Sequence, residues 1–216
     1  MRIELKFAAM KNNNYLFVAL FLIAPASNSY CQSAIDYYNE GNKFFRMNDN
    51  SSAIEFYNKA IALNPIYAKA YNNRGNANEN LGNLNEAMND YSTAIKFNPH
   101  FYEAYNNRGL LRGKTLLDFS GAIEDFNNAI AENPTFADAY MNRGIAKGKL
   151  GNYQNEILDH DKAIQLDPDF AEAYYNRGAA KYNSGDKDEG CADFYKSFKM
   201  GFAKGYATYH NYCELK

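Results

Sequence analysis

Apolar side chains return at spacings of three and four along most of the chain, in runs of helical length separated by short polar breaks. In LNEAMNDYSTAIKFNP, the residues Leu84, Ala87, Met88, Tyr91, Ala94 and Ile95 fall on one helical face, and Asn98 with Pro99 ends the run. The stretch before it, AKAYNNRGNANENLG, is made of helix formers and small residues and closes at Gly82. This two-helix unit then repeats. Its closing prolines are Pro65, Pro99, Pro134 and Pro168, at intervals of 34, 35 and 34 residues. Its glycines are Gly41, Gly75, Gly109, Gly144 and Gly178, at intervals of 34, 34, 35 and 34. One extra residue therefore lies between Gly109 and Ala122, in LLRGKTLLDFSG, and is expected in a turn, where insertion is tolerated.

Neither helix of a unit can bury its apolar face alone, whereas stacked units share a continuous core. The pattern predicts an all-α solenoid over residues 32–202, with repeats near 34–67, 68–101, 102–136, 137–170 and 171–202. A further helix over 203–216, with Tyr206, Tyr209 and Cys213 on or near one face, is expected to cap the last apolar surface. Small residues mark close approaches between helices: Gly75 with Ala94, Gly109 with Ala129, Gly144 with Ala163, and Ala87 and Ala122. The fourth unit has Glu156 at that alanine position, so the spot is expected to be frayed or splayed. The fifth has Gly190 and Ser197 in place of the two alanines.

Charged residues follow the repeat as well. Arg74, Arg108, Arg143 and Arg177 are each followed, sixteen or seventeen residues on, by Asp90, Asp125, Asp159 and Asp193. The first unit lacks both members, having Glu40 and Phe56 instead. That internal correlation predicts structural ion pairs between helices, for which the planar guanidinium fork is suited.

These offsets resemble the tetratricopeptide repeat family: an aromatic, a small residue, an aromatic, an alanine, an aromatic, an alanine and a proline. The first unit carries Tyr37, Gly41, Phe44, Ala53, Tyr57, Ala60 and Pro65. The later units begin on Tyr71, Tyr105, Tyr140 and Tyr174, within YNNRG or a near copy. Asn78, Arg112 and Lys147 stand where the second aromatic belongs, which suggests polar contacts between helices. The resemblance implies a right-handed superhelix whose first helices line a concave groove, with protein or peptide binding and no intrinsic catalysis.

In that register Asn39, Asn73, Asn107, Asn142 and Asn176 recur two residues before each glycine. Family members use asparagine there to hold the backbone of an extended peptide, and the amide offers both a donor and an acceptor. The other reading is that the amides bridge neighbouring units; both stay open on the sequence. The remaining inward positions would set specificity, among them Lys69, Asn72, Asn76, Asn106, Met141, Tyr175 and Tyr182. The groove becomes more apolar towards Tyr175 and Tyr182.

Composition narrows the function further. The 216 residues carry a net charge of -2 and no basic run, against nucleic-acid binding. No nucleophile–base set stands out, His160 falls in an aromatic core slot, and neither a cofactor nor a metal is expected. MKNNNYLFVALFLIAPASNSYCQ, from Met10, has the order of a secretory signal peptide, with cleavage after Cys31 and Met1 to Ala9 as an upstream extension. A periplasmic or secreted product without a stable membrane span follows, with lipid anchoring on Cys31 the lesser reading. The tail also resembles those of exported repeat proteins from the Bacteroidetes group. In an oxidising compartment Cys191 and Cys213 either form a bridge that pins the last helix or remain separate thiols. The leading function is an exported scaffold for a peptide or partner protein; structural self-association is the alternative, and an enzyme a distant third.

Overall fold

The computed structural model describes residues 32–214, and the segment read from the sequence as a signal peptide lies outside them. Among the described residues every regular element is a helix. The first helices of the five units are α1 (Ala34–Arg46), α3 (Ala68–Asn80), α5 (Tyr102–Thr115), α7 (Ala137–Lys149) and α9 (Ala171–Ser184). Their partners are α2 (Asn50–Leu63), α4 (Leu84–Phe97), α6 (Phe119–Glu132), α8 (Tyr153–Leu166) and α10 (Lys187–Lys199), and α11 (Ala203–Tyr212) closes the stack. Each helix packs on the next in sequence, and first helices also touch across units, α1 on α3, α5 on α7 and α7 on α9. Local contacts of this kind make an all-α solenoid.

Local chemistry sets the boundaries. The side chains of Asp49, Asp118 and Asn152 accept hydrogen bonds from Ser52, Gly121 and Asn155 and so cap α2, α6 and α8. At the other end, Asn64, Asn98, Asn133 and Asp167 follow the last helical residue. Each side chain accepts from the backbone N–H two residues on, at 3.0–3.3 Å, a turn that starts the next connection.

The core repeats with the units. Tyr57, Tyr91 and Phe126 project from second helices into clusters completed by Ala77, Leu111 and Ala146 of the following first helix. The recurring glycines serve these rings and not the alanines expected from the sequence. A Cβ on Gly75 would lie 2.7 Å from Tyr91 Cε1, and one on Gly109 would lie 2.8 Å from Phe126 Cε1. Ala94 turns instead towards Ala68, Phe101 and Ala104, at the junction with the next unit.

Two further expectations are corrected. Glu156 does not fray its helix: α8 is continuous and Glu156 is buried against Gly148, where a side chain would collide with its carboxylate. The fifth unit inverts this size exchange, with Gly190 facing Tyr182. The extra residue of the third unit lengthens α5 to 14 residues, against 13 in α3 and α7, instead of widening the turn.

Candidate functional site

A polar seam runs between the first and second helices of the later units. Arg74 Nε and Nη2 donate to Asp90 at 3.0 and 2.6 Å, and the same fork joins Arg108 to Asp125, Arg143 to Asp159 and Arg177 to Asp193. The third nitrogen reaches back to the preceding unit: Nη1 of Arg74, Arg108, Arg143 and Arg177 donates to Asn58, Ser92, Asn127 and Asp161. Each guanidinium also lies 5.3–5.8 Å from the ring of Tyr71, Tyr105, Tyr140 or Tyr174. One arginine thus joins three helices and fixes how one unit sits on the next. The Arg177 guanidinium is held above its ordinary pKa by its hydrogen bond to Asp193, against the opposing effect of burial.

The departures from the aromatic pattern belong to the same seam. Asn78, Arg112, Lys147 and Lys181 each place a nitrogen 2.7–3.3 Å from the seam aspartate of their own unit. The first unit replaces the whole set with an apolar one, Phe44 stacked on Phe56 at 5.1 Å with Tyr37 at 6.3 Å from Phe56. A buried aspartate and a polar neighbour come together or not at all, because a buried carboxylate without donors is costly.

The asparagines on the first helices face one another. Asn73 Nδ2 donates to Tyr38 Oη at 3.1 Å and to Asn42 Oδ1 at 2.9 Å. Asn107 Nδ2 donates to Asn72 and Asn76, both at 3.1 Å, and Asn142 Nδ2 to Asn106 at 3.0 Å. These donors bridge units, the second of the two readings left open by the sequence. Asn39, in the first unit, is exposed, as is Lys69. At Asn176 the acceptors run out: its Nδ2 is buried without a partner among the described residues. The acceptor pairs change along the chain from Tyr38 and Asn42, to Asn72 and Asn76, to Asn106 and Leu110, to Met141 and Ile145. The last pair offers no oxygen acceptor, only an aliphatic chain and a weakly accepting thioether.

The same exchange opens a cavity. Leu110, Met141 and Ile145, with Leu117 and Phe119 beside them, line a pocket of about 510 Å³ where α5, α7 and the start of α9 meet. Lys114, Lys149 and Glu172 supply its charged groups. The sequence places Met141 in the groove but does not single out Leu117, Phe119 or the two lysines, which sit near a turn.

Tyr175 and Tyr182, expected to form the open apolar end of the groove, meet the cap instead. Tyr175 lies 5.4 Å from Phe202 and Tyr182 lies 6.1 Å from Tyr212. The solenoid's last apolar face has no following unit, so α11 takes that place. A disulfide between Cys191 and Cys213 ties α11 to α10.

Models of the tetratricopeptide repeat match residues 41–82 and 152–185, 68–101, and 171–200, together just over half of the chain. The chain belongs to the tetratricopeptide repeat family. Solved structures agree on this TPR fold. MamA is 26% identical, with a TM-score of 0.67 over 77% of this chain and 96% of its own. YrrB, described as a TPR protein with an unusual peptide-binding site, is 21% identical, with a TM-score of 0.66 over 83% of this chain and 92% of its own. PilW, described as a widely conserved type IV pilus biogenesis factor, is 18% identical, with a TM-score of 0.73 over 82% of this chain and 90% of its own. No curated protein sequence matches the TPR chain significantly. Among the described residues no helix is long and apolar enough to cross a membrane.

Proposed function

We propose that this TPR chain is a non-catalytic scaffold that holds an extended peptide, or a segment of a partner protein, against its first helices. The observation that carries the reading is the pocket between α5 and α7. There the polar ladder gives way to Leu110, Met141 and Ile145 and leaves about 510 Å³ of apolar space. That size falls within the ~300–1,000 Å³ of ordinary ligand pockets. YrrB, described as having a peptide-binding site, shares the fold. With the ladder amides engaged between units, the anchor is the pocket and not the asparagines.

Panning a random dodecapeptide display library on the full chain tests this. Peptides should be enriched that bind the wild type and lose binding to Ile145→Glu, while the variant keeps its helical circular dichroism at the temperature of the binding assay, although its partly buried site lowers the melting temperature. Enrichment of nothing, or of peptides indifferent to Ile145→Glu, refutes the groove reading.

We also propose export. The apolar run ahead of Cys31 supports it, and the Cys191–Cys213 disulfide suits an oxidising compartment. Amino-terminal sequencing of the mature protein should read from Gln32. A mature chain that retains the apolar run removes this reading.

A further inference from the structure

We propose that the pocket takes a bulky apolar side chain from a peptide segment that carries an acidic residue beside it, with Lys114 and Lys149 binding the carboxylate and Leu117 forming a lip unique to the third unit. This rests on the groove reading above and specifies its ligand.

Charge is the first support. Lys114 and Lys149 lie in the last turns of α5 and α7, both are exposed and both line the pocket. Neither takes part in an ion pair among the described residues, whereas Lys147 and Lys181, nearby on α7 and α9, are tied to Asp159 and Asp193. The positions equivalent to Lys114 and Lys149 are Arg46, Asn80 and Asn183 in the other units. Arg46 Nε donates to the Asn42 carbonyl of its own helix. A lysine therefore stands at this position only in the two units that flank the apolar space, where it offers a cation to a ligand carboxylate. Glu172 lies across the pocket at the start of α9 and is free to accept from a ligand N–H or basic group. The three charges give the ligand a direction, with its acidic residue towards the ends of α5 and α7.

The second support is the backbone at Leu117. The turns inside the other units place Asn48, Gly82, Gly151 and Gly185 in the left-handed region, residue types that tolerate it. The third unit places Leu117 there, at φ 55°, with the side chain 68% exposed. The turn itself demands this conformation, closed by the Asp118 N–H on the Arg112 carbonyl as in the other units, but a leucine is poorly suited to it and nothing in the turn calls for one. Strain retained at a pocket wall is accounted for when the side chain closes on a ligand. The extra residue in α5 is what moves the left-handed position one step along, from the register of Gly82 and Gly151 to Leu117.

The panning above, repeated on Lys114→Glu/Lys149→Glu and on Leu117→Gly, decides the matter. Wild-type selections should show Asp or Glu next to the apolar anchor. Synthetic copies of those peptides should lose at least tenfold in affinity on the double variant, which should itself select Lys or Arg at that place. Leu117→Gly should weaken binding at least threefold with no fall in melting temperature. Selected peptides that need Ile145, show no acidic bias and tolerate the double variant leave the groove reading intact and overturn this inference. Unchanged affinity on Leu117→Gly removes the lip. If no peptide depends on Ile145, both readings fall.

Discussion

Removing Arg74 should harm the fold more than removing Arg108, although the two occupy the same place in consecutive units. Arg74→Ala leaves Asp90, whose side chain is 6% exposed, with only the Asn78 amide at 3.1 Å. Breaking a fully buried ion pair by deleting one partner costs ~3–5 kcal/mol. The Arg74 side chain is 23% exposed, so water enters the gap and the loss falls to about 2–3 kcal/mol. Arg108→Ala strips Asp125, whose side chain is buried still more deeply at 1% exposed, but Arg112 Nη1 remains 3.0 Å away as a second full cation. Its loss should be about 1–2 kcal/mol. The difference of roughly 1 kcal/mol corresponds to ~2–4 °C in melting temperature for a domain of this size. Urea unfolding of the full chain followed by far-ultraviolet circular dichroism measures both losses. Placing Arg74→Ala in an Asp90→Asn background should bring its cost below about 1 kcal/mol, because no buried charge is then left without a partner. Equal losses for the two arginines, or an undiminished cost in the Asp90→Asn background, would show that the seam is not held by these charges.

Three further outcomes follow from the geometry. Asn107→Ala should cost about 1–2 kcal/mol, since its amide serves two acceptors, whereas Asn176→Ala should be nearly neutral in the same urea assay because its donor has none. Reduction, or Cys191→Ser, should release α11 and lower stability by ~2–4 kcal/mol; trypsin should then cut at Lys199 and Lys204 before the repeats, and intact mass after alkylation without reduction should show no free thiol in the chain that starts at Gln32. Burial first, and the nearby Tyr38, push the Tyr57 hydroxyl from its ordinary value near 10 up to about 12, against the hydrogen bond from Asn73. The folded state therefore favours the neutral phenol, so this contribution is full below about pH 10 and is lost as pH rises towards 12. The alkaline fall in the urea midpoint should be shallower in Tyr57→Phe, and an identical fall counts against the assignment.

The stack and its seam were legible because both rest on residues that recur at fixed intervals. A period in the chain becomes a translation in a solenoid, so Arg143 and Asp159 could be matched by comparing units without knowing any crossing angle. The seam's third partners, Asn58, Ser92, Asn127 and Asp161, carried the same signal in their constant spacing of 16 residues before each arginine, and it was passed over. The glycine contacts were misread because a small residue announces a close approach without saying which atoms approach. At Gly75 the answer was a tyrosine ring one turn from the alanine expected there.

By itself, then, the amino-acid order determined the helix pairs, their number, and the units in which an aspartate needs an arginine, since all of these follow from spacing and from the cost of a buried charge. Only the tertiary structure decided that the ladder amides join units, that Tyr175 and Tyr182 lie against the cap, and that Leu117 and two lysines surround an apolar space. Those facts depend on how far one hairpin rotates on the next, a quantity summed over many side-chain contacts and visible at no single position. A one-residue extension of α5 shifts a turn sideways, and what it brings to the pocket is fixed by that rotation.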